Sequence, residues 1–145
     1  MKRSERLRLV ERVAQQHEDK AAKALKMAEQ KISFEQQQLE QLVTYQQTYQ
    51  NTQKQAGSQG IGVQQYLVYQ HFLDQIEVMI ANQQRVVNQA QQQYQQLMRH
   101  WQQLYLRRRS MAQLAEKVSL SEFMEQQKAE QKAIDEIVNQ MQARQ

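Results

Sequence analysis

The stretch that decides the fold is VQQYLVYQHFLDQIEVMIANQQRVVNQAQQQYQQLMRHWQQLYLRRRSMAQLAEKV, residues 63–118. Steps of alternating threes and fours from Tyr66 reach Tyr66, Tyr69, Leu73, Ile76, Ile80, Gln83, Val87, Ala90, Tyr94, Leu97, Trp101, Leu104, Arg108, Met111, Ala115 and Val118. Fourteen of these sixteen positions are apolar and the phase never slips. A 3-4 spacing draws a nearly straight apolar seam down one side of a long α-helix. A strand would need alternation with period two. A seam of this kind must meet another helix.

The partner lies upstream. From Leu7 the apolar positions run Leu7, Val10, Ala14, His17, Ala21, Leu25, Ala28, Ile32, Glu35, Leu39, Leu42, Gln46 and Tyr49, ten of the thirteen apolar. Consecutive four-residue steps at Ala21 and Leu25 shift the heptad phase, like a stutter that locally unwinds the seam. Alanines at 14, 21, 24 and 28 allow close helix approach but bury little area, so this helix is expected to be the looser of the two. Ser4 is its expected N-cap.

Between the two seams, Ala56-Gly57-Ser58-Gln59-Gly60-Ile61-Gly62 holds all three glycines of the chain. Glycine supplies the positive φ that ends a helix and reverses the chain. Two seamed segments of nearly equal length around one short loop give an all-α fold, an antiparallel two-helix coiled-coil hairpin. The expected bounds are helix 1 at about 4–55, the loop at 56–62 and helix 2 at about 63–142, in a single coiled-coil domain spanning 1–145. Each arm of the hairpin is roughly 80 Å long by helical rise. Pairing about the loop sets Leu7 near Met111, which leaves everything after Val118 without a partner. Ser119-Leu120-Ser121-Glu122 has the form of a capping box and a soft break at 119–121. Beyond it Met124, Ile134, Val138 and Met141 continue at helical spacing, a C-terminal helical overhang that is marginal alone and orders on a partner.

Composition agrees with helices and excludes several classes. Glutamine fills 34 of 145 positions, and proline is absent. The glutamines fall between regularly spaced apolar residues, as from Gln91 to Met98, and read as the uncharged wet face of helices. A formal charge of +4 is modest for a nucleic-acid binder. The chain has no cysteine and hence no disulfide, which suits the cytoplasm. No run approaches the roughly 20 apolar residues of a membrane span, and the basic start has no apolar core of a secretory signal.

Chemistry has little to stand on. His17, His71 and His100 are isolated from one another, without the spacing of a metal site. The glycine cluster has no following lysine and no preceding strand, so it is not a phosphate loop. Adjacent Asp135 and Glu136 read as solvated charges on an exposed helix. The sequence therefore implies neither enzyme nor cofactor.

Two features go beyond a plain hairpin. Gln38, Leu42, Tyr45 and Tyr49 on helix 1 and Phe72, Ile76, Met79 and Gln83 on helix 2 share a 4-3-4 spacing and fall opposite each other near the loop. They either broaden the helix–helix contact or form a docking face, since aromatic and Met side chains carry much interface energy. At the other end Lys2, Arg3, Arg6, Arg8 and Arg12 meet Arg107, Arg108 and Arg109, diluted by Glu5 and Glu11. That is either a solvated face with Glu–Arg pairs between the helices or a basic end for an acidic surface or a phosphate backbone. Few aromatic residues interleave with it, so nucleic acid is the weaker partner.

Leu42-x-x-Tyr45-x-x-x-Tyr49, a glycine-containing loop, Tyr69-x-x-Phe72-Leu73-x-x-Ile76-Glu77-x-x-Ile80 and Lys132-x-x-Asp135-Glu136 together resemble the FliJ family of flagellar export proteins, over essentially the whole chain. The resemblance implies a component of the flagellar type III export apparatus at the cytoplasmic face of the inner membrane. It also implies a coiled coil like the stalk of rotary ATP synthases. The implied partners are the hexameric export ATPase FliI, whose assembly it promotes, the cytoplasmic linker of the export-gate protein FlhA, and export chaperones. Carried onto this sequence, Gln38, Leu42, Tyr45, Tyr49, Phe72, Ile76, Met79 and Gln83 are the expected gate-binding face. Leu7, Arg8, Val10, Arg12 and Arg108, with Ile134 and Ile137 of the overhang, are the expected ATPase-binding residues. The competing readings are a generic coiled-coil scaffold that dimerises lengthwise, and a weak nucleic-acid binder acting through its basic end.

Overall fold

The computed structural model describes residues 1–144. Two helices, α1 (Arg3–Ser58) and α2 (Val63–Ala143), account for nearly all of them and pack against each other. The described residues divide into two compact units, each drawing on both helices: 1–22 with 100–144, and Lys23–Arg99. Pairing is antiparallel in each. In the first unit Ser4 reaches Glu122 and Glu18 reaches Arg108. In the second Gln53 meets Gln70 and Glu35 meets Gln83.

The turn explains why the glycines cluster. Gly60 has φ of 81°, the left-handed region that a Cβ disfavours. The Ile61 amide donates to the Ala56 carbonyl at 3.3 Å and the Gly60 amide to Gly57 at 3.3 Å, the paired bonds of a Schellman cap. Gly57 lies inside α1, because the cap carries the helix to Ser58, three residues further than the expected end at 55.

On α2 the expected seam is the enclosed face from Tyr69 to Val118, while its first member, Tyr66, is exposed. Leu73, Ile76, Val87, Ala90 and Ala115 are its most enclosed side chains, Ala115 completely so. Ala21 is the one apolar residue of α1 that matches them, so α1 supplies the thinner side of the core.

The seam of α1 departs from expectation over its first turns. Val10 and His17 are exposed, whereas Glu11 is half-buried and Glu18 is buried. With Glu11 and Glu18 in place of Val10 and His17, the enclosed positions follow an unbroken 3-4 pattern from Ser4 through Leu7, Ala14, Ala21, Leu25 and onward to Ala56. The heptad phase does not shift at Ala21, and there is no stutter. Glu18 and Glu35 hold seam positions with a partner on the other helix, whereas Glu11 pairs with Arg8 of its own helix. Glu18 accepts from the Arg108 guanidinium. The Gln83 amide donates to the Glu35 carboxylate and, at 3.0 Å, to the Glu35 carbonyl.

Both helix-end expectations built on serine change as well. Ser4 is not the N-cap, since α1 begins at Arg3. Its hydroxyl donates to Glu122 at 2.6 Å and its amide donates to the same carboxylate at 3.2 Å. Glu122 thus caps α1 from across the hairpin, and it is not closing a box with Ser119. Accordingly α2 runs uninterrupted through 119–121. At this end the register sits about two helical turns further along than expected. Leu7, next to the Ser4–Glu122 bond, lies nearer Ala115 and Val118, while Met111 lines a shallow hollow with Val10, Val13, Ala14, His17, Leu104 and Arg107.

From Phe123 to Arg144 every described residue is exposed. The overhang therefore begins after Glu122, four residues later than the sequence suggested. No helix is long and apolar enough to cross a membrane.

Candidate functional site

Two surfaces stand out, one in each unit. In the unit Lys23–Arg99, the seam residues Leu42, Tyr49, Leu73 and Ile76 form a floor between the helices. Tyr45 precedes the seam position Gln46, and Phe72 and Met79 precede the seam positions Leu73 and Ile80. In an antiparallel pair these preceding positions face one another across the same flank of the seam, so the three side chains rise on one side. Tyr45 is 61% exposed, Met79 52% and Phe72 45%, which makes them the accessible part of the expected gate-binding face. Phe72 also stacks on Tyr49, with centroids 5.9 Å apart and planes within 15°. That cross-helix stack places the two sequence stripes opposite each other, as their spacing implied. It also holds Phe72 in a fixed orientation without hiding it. Gln38 and Leu42 are half-buried.

Two members of that set serve the hairpin first. Ile76 is buried between the helices and underlies the surface. Gln83 is occupied by Glu35. The exposed apolar part of the face is therefore smaller than the eight residues read from sequence.

The second surface is the basic region of the other unit. Leu7 is half-buried, and Val10, Arg8 and Arg12 are exposed. Arg8 is paired with Glu11 at 2.9 Å, one turn along the same helix. Arg108 is committed to Glu18 and lies 5.3 Å from the Tyr105 ring centroid, while Tyr105 stacks on Trp101. The hydrogen bond that Arg108 donates to Glu18 raises the Arg108 pKa above its ordinary value, so its charge is fixed at any accessible pH. The Arg108–Glu18 pair crosses between the helices, as a solvated face would have it, whereas Arg8–Glu11 lies within α1; both leave less free positive charge than a sequence count suggests. Ile134 and Ile137 are exposed on the overhang, at 54% and 57%.

The family model described as "Flagellar FliJ protein" matches residues 2–145. The chain belongs to the FliJ family. Its role is accordingly flagellar and export-related. No curated protein and no solved structure matches it. The antiparallel hairpin is the architecture that the FliJ resemblance implied, and the quoted apolar motifs fall in the unit that carries the Tyr49–Phe72 stack.

Proposed function

We propose that this chain is a non-catalytic coupling component of the flagellar export apparatus, binding the export ATPase and the cytoplasmic linker of the export gate, and escorting export chaperones. Gate binding uses Tyr45, Phe72 and Met79 as contact residues, with Gln38, Leu42, Tyr49, Ile76 and Gln83 holding them in place. ATPase binding uses Leu7, Arg8, Val10, Arg12 and Arg108, with Ile134 and Ile137 on the overhang. Through these partners the chain is held peripherally at the inner membrane.

The observation that carries this reading is the exposed Tyr45–Phe72–Met79 flank on a helix pair that is otherwise glutamine-rich at its surface. Exposed aromatic and Met side chains over an ordered apolar floor have the make-up of an interface hot spot. The test is a pull-down of the full chain against the purified ATPase and the purified gate cytoplasmic domain. Tyr45→Ala with Phe72→Ala should lose the gate and keep the ATPase, and deletion of 123–145 should do the reverse. Loss of neither partner in either variant would refute the assignment of both surfaces.

A further inference from the structure

The overhang carries a second seam on the face opposite the first. Continuing the α2 heptad beyond Glu122 puts Glu125, Ala129, Lys132, Glu136 and Asn139 at the inward positions, a set with almost no apolar surface. The apolar residues instead follow Met124, Ile134, Val138 and Met141, with Phe123 and Ile137 beside them, all 45–65% exposed. Gln127 and Gln131 complete their 3-4-3-4-3 spacing. On a helical wheel this stripe lies across from the seam that α1 covers. A longer α1 would not bury it. It needs a different helix.

The charges beside the stripe select the occupant. We infer that residues 120–142 pair antiparallel with the same segment of a second copy of this chain. Lys128 and Asp135 occupy the flank on one side of the stripe and Glu130 the flank on the other. In the antiparallel register that sets Ile134 beside Gln131 of the second copy and Met124 beside Met141, Lys128 meets Asp135 of the second copy, and the two-fold axis repeats the pair. Sliding by one heptad sets Asp135 against Asp135 in one direction. In the other it sets Lys128 against Lys128 and Glu130 against Glu130. A parallel pair sets Glu130 against Asp135 twice. Opposite charges on these flanks favour a pairing and like charges disfavour it, so one arrangement is selected from four. With glutamine at two layers the association is weak and reversible. It covers Ile134, which the functional proposal assigns to ATPase binding, so self-pairing and that contact exclude each other. The inference itself does not rest on that proposal.

Sedimentation equilibrium of the full chain over a concentration series tests this without any partner. The natural sequence should show a monomer–dimer equilibrium. Lys128→Asp and Asp135→Lys alone should each weaken dimerisation about tenfold, because two attractive contacts become repulsive. The combined exchange should restore it. Because both positions are exposed, helicity by circular dichroism should be unchanged in all variants. In a mixture of Met124→Cys and Met141→Cys chains, oxidation should give the mixed disulfide in preference to either homodimer. A monomer at every concentration, or a dimer insensitive to the single exchanges, would overturn the inference.

Discussion

Arg108 of α2 donates to Glu18 of α1, and both occupy seam positions that a simple coiled coil would fill with leucine or valine. Glu18 is only 7% exposed. A buried pair of this kind stabilises weakly overall, but losing one partner strands the other. Arg108→Ala should lower the unfolding free energy by about 1–3 kcal/mol. Replacing both residues with leucine should recover that loss or exceed it. Thermal melts of the two variants and the natural chain check the order.

The Ser4–Glu122 bond gives a pH signature. Acceptance from the Ser4 hydroxyl, and secondarily from its amide and the charges of Lys2 and Arg3, holds the Glu122 carboxyl below the usual range. A carboxylate with a lowered folded pKa stabilises above the unfolded value and loses that contribution as pH falls through the folded one. Amide exchange in the first turn of α1 should therefore accelerate, beyond its intrinsic pH dependence, once pH drops below the ordinary glutamate range. Glu122→Gln should remove that extra acid dependence while leaving the loop end of the hairpin unchanged.

The glycines of the turn should respond with opposite signs. Gly60→Ala forces a side chain into a left-handed conformation and should cost about 1–2 kcal/mol. Gly57 lies within α1 with nothing within 4 Å of an added Cβ, so Gly57→Ala should stabilise by about 0.5–1 kcal/mol. Chemical denaturation of the two single variants separates the cases.

Close approach of the helices depends on alanine. Ala115 is wholly enclosed. Ala115→Leu should overpack the seam and cost about 1–3 kcal/mol. The same change at exposed Ala133 should be neutral within experimental error. Paired melting curves measure both.

The seam of α2 was legible because its positions from Tyr66 to Val118 are nearly all apolar, so one helix read alone reveals its inward face. The first turns of α1 were not. There Val10 and His17 lie beside the seam and Glu11 and Glu18 lie on it, so counting apolar residues chose the wrong neighbours and invented a phase shift. What makes Glu18 an inward residue is Arg108, ninety residues away, and pattern reading within one helix cannot see a partner across the pair. Glu122 misled for the same reason: its local context suggested a cap for α2, and its partner is Ser4. At the exposed flank, spacing located Tyr45, Phe72 and Met79 beside the seam. The same spacing put Ile76 on the seam, and Ile76 is buried there.

The central claim is that the chain folds back once at its glycine turn and pairs with itself. Because the sequence has no cysteine, cysteine pairs can be introduced cleanly at Ser4 with Glu122 and at Gln53 with Gln70. Treatment of each dilute double variant with a short thiol crosslinker should give a single product of monomer mass. Products of dimer mass alone, with no internal link at either pair, would contradict the hairpin.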